Sequence, residues 1–189
     1  WQVIQREEVS GEAEKIVFVM NGIICRMDLP LVFRVPKTTN NKLTILSQKV
    51  TIIGLNTSFF TEVMDTIKEI NLMAQHKFKE ETLKPWTMSN FQGMDALECM
   101  NRYFRRIANM EGDTSIPFSR DIVPKGILTE MVRPDLTHTE ENSVQYFRSS
   151  VLGDGKRRYH WAKPQMFRNG DIAEISFTVV IIRGKKGTF

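Results

Sequence analysis

A chain of 189 residues with 41% hydrophobic and 25% charged residues is long enough to bury its own core, and too ordinary in composition to be disordered or fibrous. Its formal charge of +4 is small and uneven: residues 1–99 carry 11 Lys and Arg against 12 Asp and Glu, whereas residues 100–189 carry 15 against 10. Two cysteines, Cys25 and Cys99, make neither a disulfide framework nor a zinc quartet, and no apolar run approaches the roughly 20 residues that a membrane-crossing helix needs.

These bounds predict a reducing compartment, the cytoplasm or nucleus, and no membrane partner. The chain begins at Trp1 and ends at Phe189 just after a strongly apolar run, so it reads as one domain over residues 1–189 taken from a longer protein. Lys15 to Ile24 reads as a strand, and Leu31 to Val35, between Pro30 and Pro36, as a short extended piece. After a polar turn at residues 37–41, the β-branched content of Leu43 to Ile53 predicts a third strand. Asn56-Thr57-Ser58 reads as a helix entry rather than a glycan site.

From Ser58 the period changes. Phe60, Val63, Met64, Ile67, Ile70, Ala74 and Phe78 recur at three- and four-residue spacing, which predicts a long amphipathic helix ending before Pro85, with Glu62 and Asp65 near its positive end. Asp95-Ala96-Leu97-Glu98 reads as a capping box opening a second helix. Leu97, Met100, Phe104, Ile107 and Ala108 would face inward, Arg102, Arg105 and Arg106 outward, and the helix would end near Gly112. The remainder reads as strand-rich. Val144 to Arg148 and Tyr159 to Trp161 flank Gly153-Asp154-Gly155, a hairpin-turn signal. The last strand, Ile172 to Ile182, would place Ala173, Ile175, Phe177, Val179 and Ile181 on one covered face, with Val180 and Ile182 covered as well. The order of elements predicts an α+β fold: a largely antiparallel sheet with two amphipathic helices on one face.

Two constellations could carry chemistry. In Lys156-Arg157-Arg158-Tyr159-His160-Trp161, the cations Lys156, Arg157 and Arg158 can meet phosphates while Tyr159 and Trp161 offer faces for base stacking, and Arg102, Arg105 and Arg106 could extend that surface. The bland alternative is a hairpin whose aromatics point into the core. In the second constellation, His138, Glu140 and His160 have the composition of a facial triad for Fe(II), with Arg168 available to pair with an acidic co-substrate. The plain alternative is a histidine in a polar turn. Cys99 reads as a packed thiol and His76 as an exposed residue. Gly184-Lys185-Lys186-Gly187 reads as a turn, since it lacks the context of a phosphate loop. GxSxG, HExxH and CxxC are absent, which weighs against an enzyme without deciding it.

Residues 121–128 (DIVPKGIL), 138–147 (HTEENSVQYF) and 167–174 (FRNGDIAE) together resemble a large set of uncharacterised proteins from mushroom-forming (agaricomycete) fungi, from about residue 113 to the end. The resemblance implies a fungal origin, fits an intracellular location, and carries no activity, cofactor or catalytic residue.

The leading expectation is a nucleic-acid-binding module, with DNA or RNA as partner, built on the basic-aromatic turn. A protein-interaction or self-assembly domain using Phe59, Trp86 and Phe91 is the alternative, and a non-haem metal-dependent oxygenase the second alternative. No cofactor is expected outside the Fe(II) reading.

Overall fold

The computed structural model describes residues 4–6, 13–30, 40–78, 83–109, 114–120 and 122–181. In chain order its elements are β1 (Ile4–Arg6), β2 (Ala13–Lys15), β3 (Phe18–Asp28), β4 (Ser47–Ile53), α1 (Ser58–Lys77), β5 (Ser89–Phe91), β6 (Met94–Arg102), β7 (Arg105–Arg106), α2 (Ile127–Met131), β8 (Leu136–Thr137), β9 (Phe147–Val151), β10 (Arg157–Trp161) and β11 (Ile172–Phe177). The fold is therefore α+β, mostly strands with one main helix. The chain divides into two compact units, one of residues 1–25, 51–98 and 170–189, the other of residues 26–50 and 99–169.

A five-stranded antiparallel sheet runs in the order β11-β3-β4-β6-β5. In the first unit β11 pairs with β3 from Ile172↔Ile23 to Phe177↔Phe18, and the Phe18 and Phe177 rings stack with centroids 5.6 Å apart. The predicted alternation holds along this strand: Ala173, Ile175 and Phe177 are half-buried, while Ile172, Glu174 and Ser176 are exposed. Val180 is exposed, so the expected cover on both faces does not form there; Ile182 and residues 184–187 lie outside the described residues. The predicted extended piece at 31–35 lies outside them too.

The long helix starts at Ser58 as its periodicity predicts, burying Phe60, Met64 and Ile67 along one stripe. Thr57 stands at its N-cap position, so the sequon segment is a helix entry, although the Thr57 side chain makes no capping hydrogen bond. Glu62 and Asp65 fall beyond the first turn, which holds no acid. Gly54, just before the helix, is required by a close approach: a Cβ there would lie 2.0 Å from Phe60 Cγ. Cys25, Ile53 and Ala96 form a small core with Ile23, Phe91 and Met94 against it, and the Cys25 thiol donates to Thr51 O at 3.2 Å.

The second predicted helix does not exist. Residues 94–102 are strand β6, and residues 105–106 are strand β7. The reason lies just upstream, where Gln92 and Gly93 both take positive φ (52° and 85°), the two-residue turn that matches strand twist and makes a tight hairpin of β5 and β6. Asn90 Oδ1 accepts the Gly93 N–H at 3.0 Å and holds the turn. Once the turn forms, Asp95 is a strand residue rather than a cap, and the exposure of Glu98 and Met100 beside less exposed Cys99 and Asn101 follows period two.

In the second unit the core is Leu43, Tyr103, Phe104, Ile122, Val123, Leu128 and Leu136. Phe118 packs edge-on against Tyr103 and Phe104, with centroids 6.5 and 5.5 Å away. Leu43 belongs to a 3-10 turn, Asn40–Ile45, so the third strand begins only at Ser47. The five-residue helix α2 was not expected; it starts after Gly126, whose φ of +66° lets the chain enter from the left-handed region.

Candidate functional site

Among the described residues, strands β9 and β10 pair only with each other, in the register Arg157↔Val151, Arg158↔Ser150, Tyr159↔Ser149, His160↔Arg148 and Trp161↔Phe147. The predicted turn closes them: Gly155 takes φ +79°, its N–H donates to Leu152 O at 2.9 Å, and Asp154 Oδ1 accepts the Lys156 N–H at 3.1 Å. Every residue of both strands is exposed, and among the described residues neither strand pairs with a third.

Opposed residues of an antiparallel pair share a face, so the register separates two surfaces. One carries Phe147 with Trp161, Ser149 with Tyr159, and Val151 with Arg157. Ala162 N–H donates to Tyr146 O and Leu152 N–H to Lys156 O, each at 2.9 Å, which makes the intervening pairs on this face the non-hydrogen-bonded, closer ones. The Phe147 and Trp161 rings accordingly meet at 4.6 Å, yet Trp161 stays 73% exposed and Tyr159 56%. The other surface carries Arg148 with His160 and Ser150 with Arg158, in the wider hydrogen-bonded pairs. Arg148, Ser149, Ser150, His160, Trp161 and Met166 line an open depression of about 560 Å³. Among the described residues, Arg148, Arg158 and His160 make no ion pair with an acid. At the turn, Lys156 Nζ lies 3.9 Å from Asp154 Oδ2.

At the hairpin's base, Tyr146 donates its hydroxyl to Gln48 Oε1 and packs its ring 5.8 Å from Phe167. Burial pushes the Tyr146 hydroxyl above its ordinary range, with Tyr103 nearby adding to the effect, so it stays a neutral donor.

The three arginines expected to extend the basic surface do not share a helix face. Arg102 ends β6, half-buried, with its Nε unpartnered among the described residues and its carbonyl accepting from Asn142 Nδ2 at 2.9 Å. Arg105 is ion-paired to Glu141 at 2.9 Å, and Arg106 stands exposed on β7 opposite Leu136. The pair Arg105–Glu141 thus uses one of the three cations within the fold.

The described residues contain no group of three His, Cys, Asp or Glu side chains placed to hold a metal ion, so His138, Glu140 and His160 are not brought together. His138 is 5% exposed, its Nδ1–H donates to Tyr103 O at 2.9 Å, and its ring stacks on Phe118 at 4.1 Å. Burial pushes its pKa below the ordinary value, the hydrogen bond to Tyr103 opposing in part. Glu140 is exposed at the start of a 3-10 turn where Asn142 Oδ1 accepts the Thr139 N–H at 3.0 Å. His160 is on the hairpin. Arg168 folds back so that its guanidinium donates to the carbonyls of Gln165 and Phe167. Of the residues expected in an apolar interaction patch, Phe59 is exposed on α1, Trp86 is half-buried, and Phe91 is half-buried against the Cys25 core.

Sequence reasoning missed Phe147, Arg148 and Ser150. Their signal was available in the Asp-Gly turn: counting outward from it pairs Arg148 with His160 and Phe147 with Trp161. No helix of the described residues is long and apolar enough to cross a membrane. No protein-family model matches the chain, and no curated protein or solved structure matches it.

Proposed function

We propose that this chain is a nucleic-acid-binding module that uses the β9–β10 hairpin as its contact surface. The observation that carries the reading is the hairpin's exposure: Trp161, Tyr159 and Phe147 share one open face, while Arg148 and Arg158 on the other make no ion pair with an acid among the described residues. Rings of this kind stack on bases whatever their identity, and cations placed within the same few residues neutralise phosphates and release counterions. The core reading of the aromatics required their burial, and the hairpin does not bury them. Arg102 and Arg105 have no part in this surface, because one is half-buried and the other is bound to Glu141.

The test is binding of labelled oligonucleotides across a salt series, with Lys156, Arg157 and Arg158 changed together to Ala. The expected result is affinity that falls steeply with salt, and a log–log slope smaller by about 0.7 to 0.9 for each phosphate that the variant no longer neutralises. Absence of binding at low salt would sink the reading. A second reading, docking of another protein or a second copy, draws on the same apolar face, where Val151 is 69% exposed. It is separated by salt: association through that face should change little where phosphate contacts weaken strongly.

A further inference from the structure

The hairpin's two faces differ in chemistry, and they lie on opposite sides of a ribbon with nothing paired beyond β10 among the described residues. Along β10 the side chains alternate: Trp161 and Tyr159 to one side, His160 and Arg158 to the other. On the second side Arg148 stands directly opposite His160 with Arg158 on the same face, an arrangement of basic groups that has no acid partner among the described residues. Arg148, Ser150 and His160, with Ser149, Trp161 and Met166, line the 560 Å³ depression, and that lining contains no carboxylate. An anion is the ligand that completes such a concavity, and phosphate matches the fork of an arginine with neighbouring hydroxyl and imidazole donors.

We propose that the hairpin takes single-stranded nucleic acid along the outer edge of β10, seating bases on the Trp161–Tyr159 face and a phosphate in the Arg148–Ser150–His160 depression. This rests on the nucleic-acid reading above and narrows it. A ligand that uses both faces must turn around a strand edge within one or two nucleotides. A single strand does this by rotating its unstacked backbone. A duplex cannot, because it is stiff over about 150 base pairs and keeps its base faces stacked inside, out of reach of Trp161 and Tyr159. The narrow, close-paired aromatic face and the wide, hydrogen-bond-paired cationic face suit this division: rings packed side by side make a platform, and separated cations leave room for a phosphate between them.

The experiment compares a labelled oligothymidine with the same strand annealed to its complement, binding the full chain and its Arg148→Gln and Trp161→Leu variants. Thermal unfolding of each variant checks that the fold is kept. The single strand should bind at least about tenfold more tightly than the duplex, and Trp161→Leu should weaken it by about tenfold while leaving the salt slope alone. Arg148→Gln should lower the salt slope by about 0.7. Duplex binding as tight as single-strand binding, or a salt slope untouched by Arg148→Gln, would overturn this inference and leave nucleic-acid binding standing. Failure of both ligands to bind at low salt would overturn the inference together with the reading it rests on.

Discussion

Two stretches of the second unit use the same residue types to opposite ends. Around His138 an imidazole, a phenylalanine ring and a tyrosine carbonyl are closed into a core, the His138 ring lying on Phe118 at 4.1 Å. Around His160 an imidazole, a phenylalanine and a tryptophan lie open, the Phe147 and Trp161 rings meeting at 4.6 Å while both residues stay exposed. The difference is not in the side chains. It comes from what stands behind them: β8 contributes Leu136 to the core with Phe104 and Leu128, whereas among the described residues β9 and β10 pair only with each other. A histidine with the first surroundings is structural; one with the second is available for contact.

Mutation should separate the two stretches most strongly at Leu128, which is fully buried. Leu128→Ala is expected to cost about 3 kcal/mol through the transfer energy forgone and the cavity left behind, read from the shift in urea midpoint at constant slope. A cost under about 1 kcal/mol would mean that this core is looser than its packing indicates.

A smaller effect follows from pH. Because burial holds the folded His138 pKa below its ordinary 6.5, the unfolded chain takes up that proton first as pH falls. The stability that depends on neutral His138 is therefore whole above about pH 6.5 and declines as pH drops from there through the folded value. Urea midpoints measured down through this window should fall for the native chain and fall less for His138→Gln. Equal slopes in the two proteins would remove the distinction between a buried and an open imidazole.

The smallest stability change belongs to the hairpin. Trp161→Leu should leave unfolding free energy within about 0.5 kcal/mol of the native value, since the ring is mostly in water. A drop above about 1 kcal/mol would show that the ring is a packing element, and would erase the contrast from the other side.

The hairpin was legible because its signal is local. An Asp-Gly pair demands a turn of defined geometry, and the alternation on either side needs no distant partner to be read. The long helix was legible for the same reason, as one unbroken apolar stripe from Phe60 to Ala74. The segment from Asp95 to Arg106 was not, because its apolar residues satisfy two periods at once over a short run. The choice was made by Gln92 and Gly93, whose positive φ values turn β5 back along β6. Arg105 was misread for a different reason. Its charge is visible in the chain, but its ion pair with Glu141, 36 positions away, is a product of folding.

The amino-acid order by itself determined the α+β class, the stripe of the long helix, the alternation of the last strand and the position of the basic-aromatic turn, all of which depend on neighbours within a few residues. Only the tertiary structure decided which surfaces those elements leave open. Whether a ring is a core residue or a stacking platform depends on what packs over it, and the cover that Phe104 and His138 give Phe118, like the 73% exposure of Trp161, is set by packing between residues far apart in the chain.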